Sequence, residues 1–361
     1  MARIERVDIF QRVVRQLASW FQNLVMLYHP RTLREKGWGW AATVGLMTLL
    51  VIMAGLSVYW SQEPGPLDIQ KVTRAQLSPK LEPVTGSYTT ATLIGVIEVL
   101  LDKPGGYLSN DVMLPSVWMD NMPNWEFGAL VQVRDLARSL RNDMSRSQSQ
   151  SVENEYLAIA EPQFNFNNDS WILPATENEY RKGIKTLHQY LNDLSINANQ
   201  GTQFYARADN LRDWLSIVEK RLGSLSQRLS ASVGQERVNT DLAGEPDATQ
   251  STNTPDRLSI KTPWLEVDDV FYEARGSTWA LVQILHAIEL DFQAILKKKN
   301  ALISLRQIIR ELEAAQQPIF SPMVLNGRGF GFVTNYSLVM SSYISRANAA
   351  VIDLRDLLQQ G

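Results

Sequence analysis

Residues 204–229 read FYARADNLRDWLSIVEKRLGSLSQRL, and within them Phe204, Ala208, Leu211, Leu215, Val218, Leu222, Leu225 and Leu229 recur in alternating steps of four and three. An average step near 3.5 keeps these side chains on one seam, which predicts a helix of about 30 residues buried in a bundle or coiled coil. The same periodicity returns at Leu130, Val133, Ala137, Leu140, Met144 and at Tyr180, Ile184, Leu187, Leu191, Leu194. It appears again at Leu281, Leu285, Ile288, Phe292, Ile295, at Leu302, Leu305, Ile309, Leu312, and at Tyr336, Met340, Tyr343, Ala347, with Leu354 and Leu358 one register later. Strand-like alternation is nearly absent after residue 61. The expected fold is all-α: an antiparallel bundle of long helices whose Met and aromatic stripe positions are core.

Ahead of the bundle, Trp38–Trp60 (WGWAATVGLMTLLVIMAGLSVYW) is a run of 23 residues without a charge. A helix of that length spans roughly 34 Å, enough for a hydrocarbon layer of about 30 Å. Trp38 and Trp40 at one end and Tyr59 and Trp60 at the other form the expected interfacial belts. The first 37 residues hold seven basic groups and three acidic ones, so the positive-inside rule puts the N-terminus in the cytoplasm and the rest outside. The apolar core is too long and too late for a cleaved signal peptide, and no small-residue cleavage site follows, so a signal anchor is expected. Upstream, Ile4, Val7, Phe10, Val14, Leu17, Phe21, Leu24 and Tyr28 make an apolar stripe with Arg3, Arg6, Arg12 and Arg15 mostly off it. Such a basic helix over 3–28 suits the lipid interface, or a docking partner.

Punctuation sets the boundaries: 1–37 cytoplasmic, 38–60 in the membrane, 61–232 and 264–361 as two helical halves, and 233–263 as a polar linker poor in apolar side chains. Residues 162–174 (PQFNFNNDSWILP) read as a loop closed by Thr176 as N-cap, with Glu179 three residues on. The halves share an apolar helix followed by a more charged one, a likeness that a shared helical period explains better than duplication does. We expect one interwoven bundle.

Composition excludes much chemistry. There is no cysteine, so disulfides, thiolate metal sites and cysteine nucleophiles are ruled out. Three separated histidines make a His-rich metal site a poor expectation. Of the net charge of −3, the first 37 residues carry +4, leaving an acidic −7 that disfavours nucleic acid. The Gly327, Gly329, Gly331 cluster lacks the strand, the spacing and the Lys-Ser/Thr of a phosphate loop, and reads as a turn. Arg134, Arg138 and Arg141 share a helix face suited to ion pairs, and Asp268–Asp269 has nothing that marks acid/base work. The unusual stretch is 102–125, DKPGGYLSNDVMLPSVWMDNMPNW, where Gly and Pro fix an irregular backbone. Its Tyr107, Asn110, Asp111, Trp118, Asp120, Asn121 and Trp125 are the candidate protein- or ligand-contact residues, against a reading in which they cap helices and plug the bundle. No catalytic residue, metal or cofactor is expected.

The stretch GGYLSNDVMLPSVWMDNMPNWEFGALVQVRDLARSLRNDMSRSQSQS at 105–151, behind a single N-terminal span, resembles a domain-of-unknown-function family of proteobacterial inner-membrane proteins, DUF2333. The resemblance implies a bacterial envelope location, with the bundle in the periplasm, and brings no activity or catalytic residue with it. The expected role is an envelope scaffold or assembly partner of membrane proteins, as a homo-oligomer or larger complex, held in the bilayer by 38–60 and the 3–28 helix. Ala41 and Gly45 in the span permit close helix packing. A sensory or adaptor ectodomain would need a bound partner for output, since only 37 residues lie inside. An envelope enzyme would need a polar cleft, and ranks third.

Overall fold

The structure, a computed structural model, describes residues 19, 26, 28–147, 152–196, 202–238, 257–319, 324 and 336–360. The chain forms two compact units, Met1–Tyr59 and Trp60–Gly361. The first contains nearly all of helix α1 (Pro30–Trp60). Gly37, at φ +81°, breaks this helix between the charged stretch ending at Lys36 and the apolar run opening at Trp38. Arg34–Trp60 is long and apolar enough to cross a membrane, with a mean hydropathy of 2.1 and none of that window buried by protein. Three of its hydroxyls bond within the helix: Thr43 donates to the Gly39 carbonyl (2.9 Å), Thr48 to Val44 (2.7 Å) and Ser57 to Met53 (2.9 Å). The helix expected over 3–28 falls almost wholly outside the described residues.

The second unit is helical: α2 (Ile69–Gln76), α3 (Ser87–Asp102), α4 (Asn121–Ser139), α5 (Glu155–Phe164), α6 (Thr176–Ile196), α7 (Ala208–Ser230), α8 (Val267–Asp291), α9 (Gln293–Lys298), α10 (Leu302–Ala315) and α11 (Tyr336–Gln359). The leucine, valine and isoleucine positions of the periodic stripes are buried almost throughout, in one core that draws on both halves of the sequence. Within the 233–263 stretch, β1 (Gln235–Val238) and β2 (Arg257–Ile260) pair as an antiparallel ribbon, and 239–256 lies outside the described residues, as does the glycine cluster at 327–331.

Two local expectations need correction. The helix predicted from Phe204 begins at Ala208 and has 23 residues. Upstream of it the backbone is claimed elsewhere: Tyr205 N–H donates to the Met144 carbonyl (2.6 Å), at the end of the π-turn Leu140–Met144 that closes α4. Phe204 instead packs on Gly86 and meets Phe292 edge-on at 5.6 Å. Thr176 is no N-cap acceptor. Its buried hydroxyl donates to the Asn167 and Ser170 carbonyls (2.8 and 3.1 Å), and the Ala175 carbonyl accepts from Asn178 and Glu179.

Most neighbours run antiparallel. Along α7 and α11, Ser226 meets Ser341 while Glu219 pairs with Arg355. Between α8 and α10, Arg275 donates to the Ala315 carbonyl while Glu289 pairs with Arg306. The central pair is the exception. Asn124 donates to Asp269 and Gln132 to Ser277, both 145 residues apart, so α4 and α8 run parallel. They touch backbone to backbone: a Cβ on Gly128 would strike the Glu273 carbonyl, and one on Gly276 the Trp125 carbonyl. Trp125 and Trp279 pack beside this crossing, ring centres 5.1 Å apart.

Two buried charges fasten segments onto α8. Asp291 lies in its last turn, where the helix dipole opposes a carboxylate, but the group reaches the N-terminus of α3. There it accepts from Gly86 N–H, Thr89 N–H and Thr89 Oγ1, each at 2.7 Å. In the third turn of α8 Arg275 pairs with Glu63 (2.6 Å) and donates to the Ala315 and Gln317 carbonyls. From there an extended strap follows the helix surface: Trp279 Nε1 donates to the Gly65 carbonyl, and Leu67 N–H to Gln283. Two strap residues advance per helical turn, because about 6.6 Å of extended chain matches one turn of about 5.4 Å.

These contacts give two expectations. Gly128→Ala and Gly276→Ala should each lower unfolding stability by about 1–3 kcal/mol or more, since a methyl there meets backbone. Gly223→Ala, where a Cβ would meet only Asn348 Nδ2 at 3.6 Å, should raise it by roughly 0.5–1 kcal/mol. Chemical denaturation of the three variants checks the contrast. Burial also pushes the Asp291 carboxyl up to about 6 from 3.8, against its hydrogen bonds. A raised carboxyl favours the fold when protonated, so this contribution is complete below about pH 4 and is lost as pH rises to about 6, on the order of 2–3 kcal/mol. Asp291→Asn should flatten the stability–pH curve over that window by this amount.

Candidate functional site

The 102–125 stretch is built around a buried ion pair. Lys103, just past the end of α3, meets Glu126 in the second turn of α4 at 2.5 Å, with both side chains inaccessible to solvent. The carboxylate also accepts from the Leu108 and Ser109 amides (2.9 and 2.8 Å) and from Ser109 Oγ (2.5 Å). Burial raises the Glu126 carboxyl, and the Lys103 ammonium pulls it back. Lys103 Nζ also donates to the Gly106 carbonyl. The turn at Gly105 and Gly106, both at positive φ, is thus closed from inside.

The predicted contact residues divide. Tyr107, Asn110 and Trp125 are buried. Tyr107 lies edge-on to Tyr180 at 5.8 Å, and burial holds the Tyr107 phenol well above its usual range and raises that of Tyr180. Asn110 donates to the Ser170 carbonyl (2.9 Å) and to Glu177 (2.8 Å), joining this loop to the one before α6. Asp111 accepts from Ser116 Oγ (2.8 Å), and Asp120 caps α4 by accepting from the half-buried Asn121 amide (2.9 Å). Trp118 alone among the seven presents a large apolar face to solvent.

Its company is what sequence reasoning missed. Val112, Met113, Leu114 and Val117 are exposed beside it, Met113 to 71%. Across the Asn110–Ser170 bond, Trp171, Ile172 and Leu173 are exposed too, Leu173 to 89%. Trp264 and Leu265 (77%) precede α8, whose Asp269 accepts from Asn124 at the start of α4. All three segments therefore lie at one end of the unit. Residues 112–119, 170–176 and 262–265 contain no charged side chain, a signal that uncharged Pro-bearing loops between helical stripes do offer.

Several charged groups elsewhere in the described residues make structural contacts. Arg134 donates to the Phe164 and Phe166 carbonyls, and Arg141 binds Glu153 and Glu161. His286 pairs with Glu313 at 3.1 Å. Burial, with Asp120, Asp268 and Glu266 nearby, pushes Asp269 up to about 6, but its carboxylate is engaged by Asn124. A cavity of about 230 Å³ is lined by Phe271, Arg275, Ile319, Tyr336 and Met340, with Arg275 committed to Glu63. Among the described residues no group of three His, Asp or Glu is placed to hold a metal.

The Lys103–Glu126 pair should behave as a unit. Lys103→Met or Glu126→Gln alone leaves a buried partner unmatched and should cost about 3–5 kcal/mol. The double variant should cost clearly less than either single in a double-mutant unfolding cycle, because Gln keeps an acceptor for the loop amides.

A family model described as an uncharacterized protein conserved in bacteria, DUF2333, matches residues 33–361. No curated protein and no solved structure matches the chain.

Proposed function

The chain belongs to DUF2333, a family of uncharacterised bacterial proteins, and from that premise we propose a membrane-anchored, non-enzymatic scaffold or assembly partner of the bacterial envelope. The observation that carries this reading is the division of labour in the second unit. Its buried charged groups are spent on fastening segments together, while uncharged apolar loops are held out at one end. An exposed apolar surface on a rigid support is the physical signature of a contact surface. An acid/base enzyme would instead need convergent polar groups in a cleft.

The basic flank before the span favours an N-terminus in the cytoplasm, and with it a periplasmic helical unit at the inner membrane. The small residues Ala41 and Gly45 in the span allow self-association as well as capture of other membrane proteins. A sensory adaptor is the second reading, and the Phe271–Met340 cavity is the feature that favours it.

Light scattering on the detergent-extracted native protein, with mass spectrometry of what accompanies it, tests the proposal. A particle well above the 40.8 kDa chain, of one protein or several, is expected. A bare monomer without companions would overturn it.

A further inference from the structure

We infer that the apolar loop end of the second unit rests on the lipid bilayer, as a contact separate from the membrane-spanning helix. This names the occupant of the contact surface and rests on the reading of the chain as membrane-anchored.

Three observations converge. The first is composition. Trp118, Trp171 and Trp264 stand beside exposed Met113, Leu173 and Leu265, in the three uncharged segments 112–119, 170–176 and 262–265. Tryptophan with aliphatic neighbours is the mixture that the boundary between headgroups and acyl chains favours. The second is shape. These residues are tips of three separate loops, each fastened from behind: by Glu126 on 108–109, by Asn110 on Ser170, and by Asn124 on Asp269. Separate tips at one end of a rigid body suit a broad, deformable surface better than a single groove would.

The third observation is where the chain comes in. The uncharged run ends at Trp60, and the Trp60 ring covers Gly105, so closely that a Cβ there would lie 2.7 Å from it. Seven residues further on, the first exposed loop opens at Val112. Glu63 is fixed to Arg275 in the N-terminal half of α8, and the strap then runs toward the C-terminus of that helix. The end of the unit that carries the apolar tips is thus the end at which the chain arrives from its membrane-spanning run. A bilayer is within reach of these tips by connectivity alone, whereas a protein partner would have to be recruited. Asp111, Asp120, Asp169 and Glu266 flank the tips, with Asp268 and Asp269 in the first turn of α8, and would repel anionic headgroups, so the test uses neutral lipid.

The absence of cysteine allows single labels. Met113→Cys, Leu173→Cys, Leu265→Cys and Ile303→Cys are made one at a time in the full chain, nitroxide-labelled, and reconstituted into phosphatidylcholine vesicles. Ile303 is the control: it is 77% exposed, but it opens α10, which runs antiparallel to α8 and so begins at the far end. Collision rates with oxygen, which partitions into lipid, and with a water-soluble nickel chelate are compared. Labels at 113, 173 and 265 are expected to favour oxygen over nickel by several-fold relative to the label at 303. Equal nickel access at all four sites would overturn the inference. Labels at the three tips that neither reagent reaches would also overturn it, in favour of protein covering the surface. Neither outcome touches the native particle mass, so failure here is distinguishable from failure of the scaffold reading.

Discussion

The contact on which the rest of the second unit depends is the backbone-to-backbone approach of α4 and α8 at Gly128 and Gly276. Two helices can come this close only where both lack a side chain, and here each glycine faces a carbonyl of the other helix. The closeness brings Gln132 within hydrogen-bonding reach of Ser277 and sets Trp125 against Trp279. Because the pair is parallel, both helices begin at the same end. The loops leading into them are therefore gathered there, with the loop before α6 joined by Asn110. A bundle built only of antiparallel hairpins would have spread these apolar loops over two ends.

Around this crossing, buried charges act as fasteners between segments distant in sequence. Asp291 holds the start of α3, Arg275 holds the strap and the end of α10, and Lys103 with Glu126 closes the turn after α3. Each such group has lost its water and is compensated by several bonds at once, the condition under which a buried charge is tolerated. The consequence for function is direct. These buried groups hold segments together, and what the unit offers outward at its loop end is apolar surface.

Much of the helical architecture was legible because periodicity reports which face of a helix is buried. The seam Leu211, Leu215, Val218, Leu222, Leu225, Leu229 lies in the core as its spacing requires, and Trp38–Trp60 falls within a helix apolar enough to span a membrane. What failed to show were facts set by partners outside the local helical repeat. Phe204 fits the helical spacing but is drawn out of it by Gly86 and Phe292. Thr176 looks like a cap, yet its hydroxyl points back to Asn167 and Ser170. Gly128 and Gly276 read as weak points in helices, and nothing local says that they face each other. Of the seven contact candidates, only Trp118 offers a large exposed apolar face. Its neighbours Met113 and Leu114, and Leu173 across the loop, are exposed too, although large apolar side chains are usually buried.

The parallel crossing can be tested directly in this cysteine-free chain. Asn124→Cys combined with Asp269→Cys places thiols where the two side chains now share a 2.7 Å hydrogen bond. The control pairs Asn124→Cys with Glu289→Cys, 20 residues and about 30 Å further along α8. With a short bifunctional thiol reagent, peptide mapping should show the 124–269 bridge within one chain and no 124–289 bridge. Bridging of 124 to 289 but not to 269 would mean that the two helices run opposite ways, and the gathering of the loops at one end would fall with the crossing.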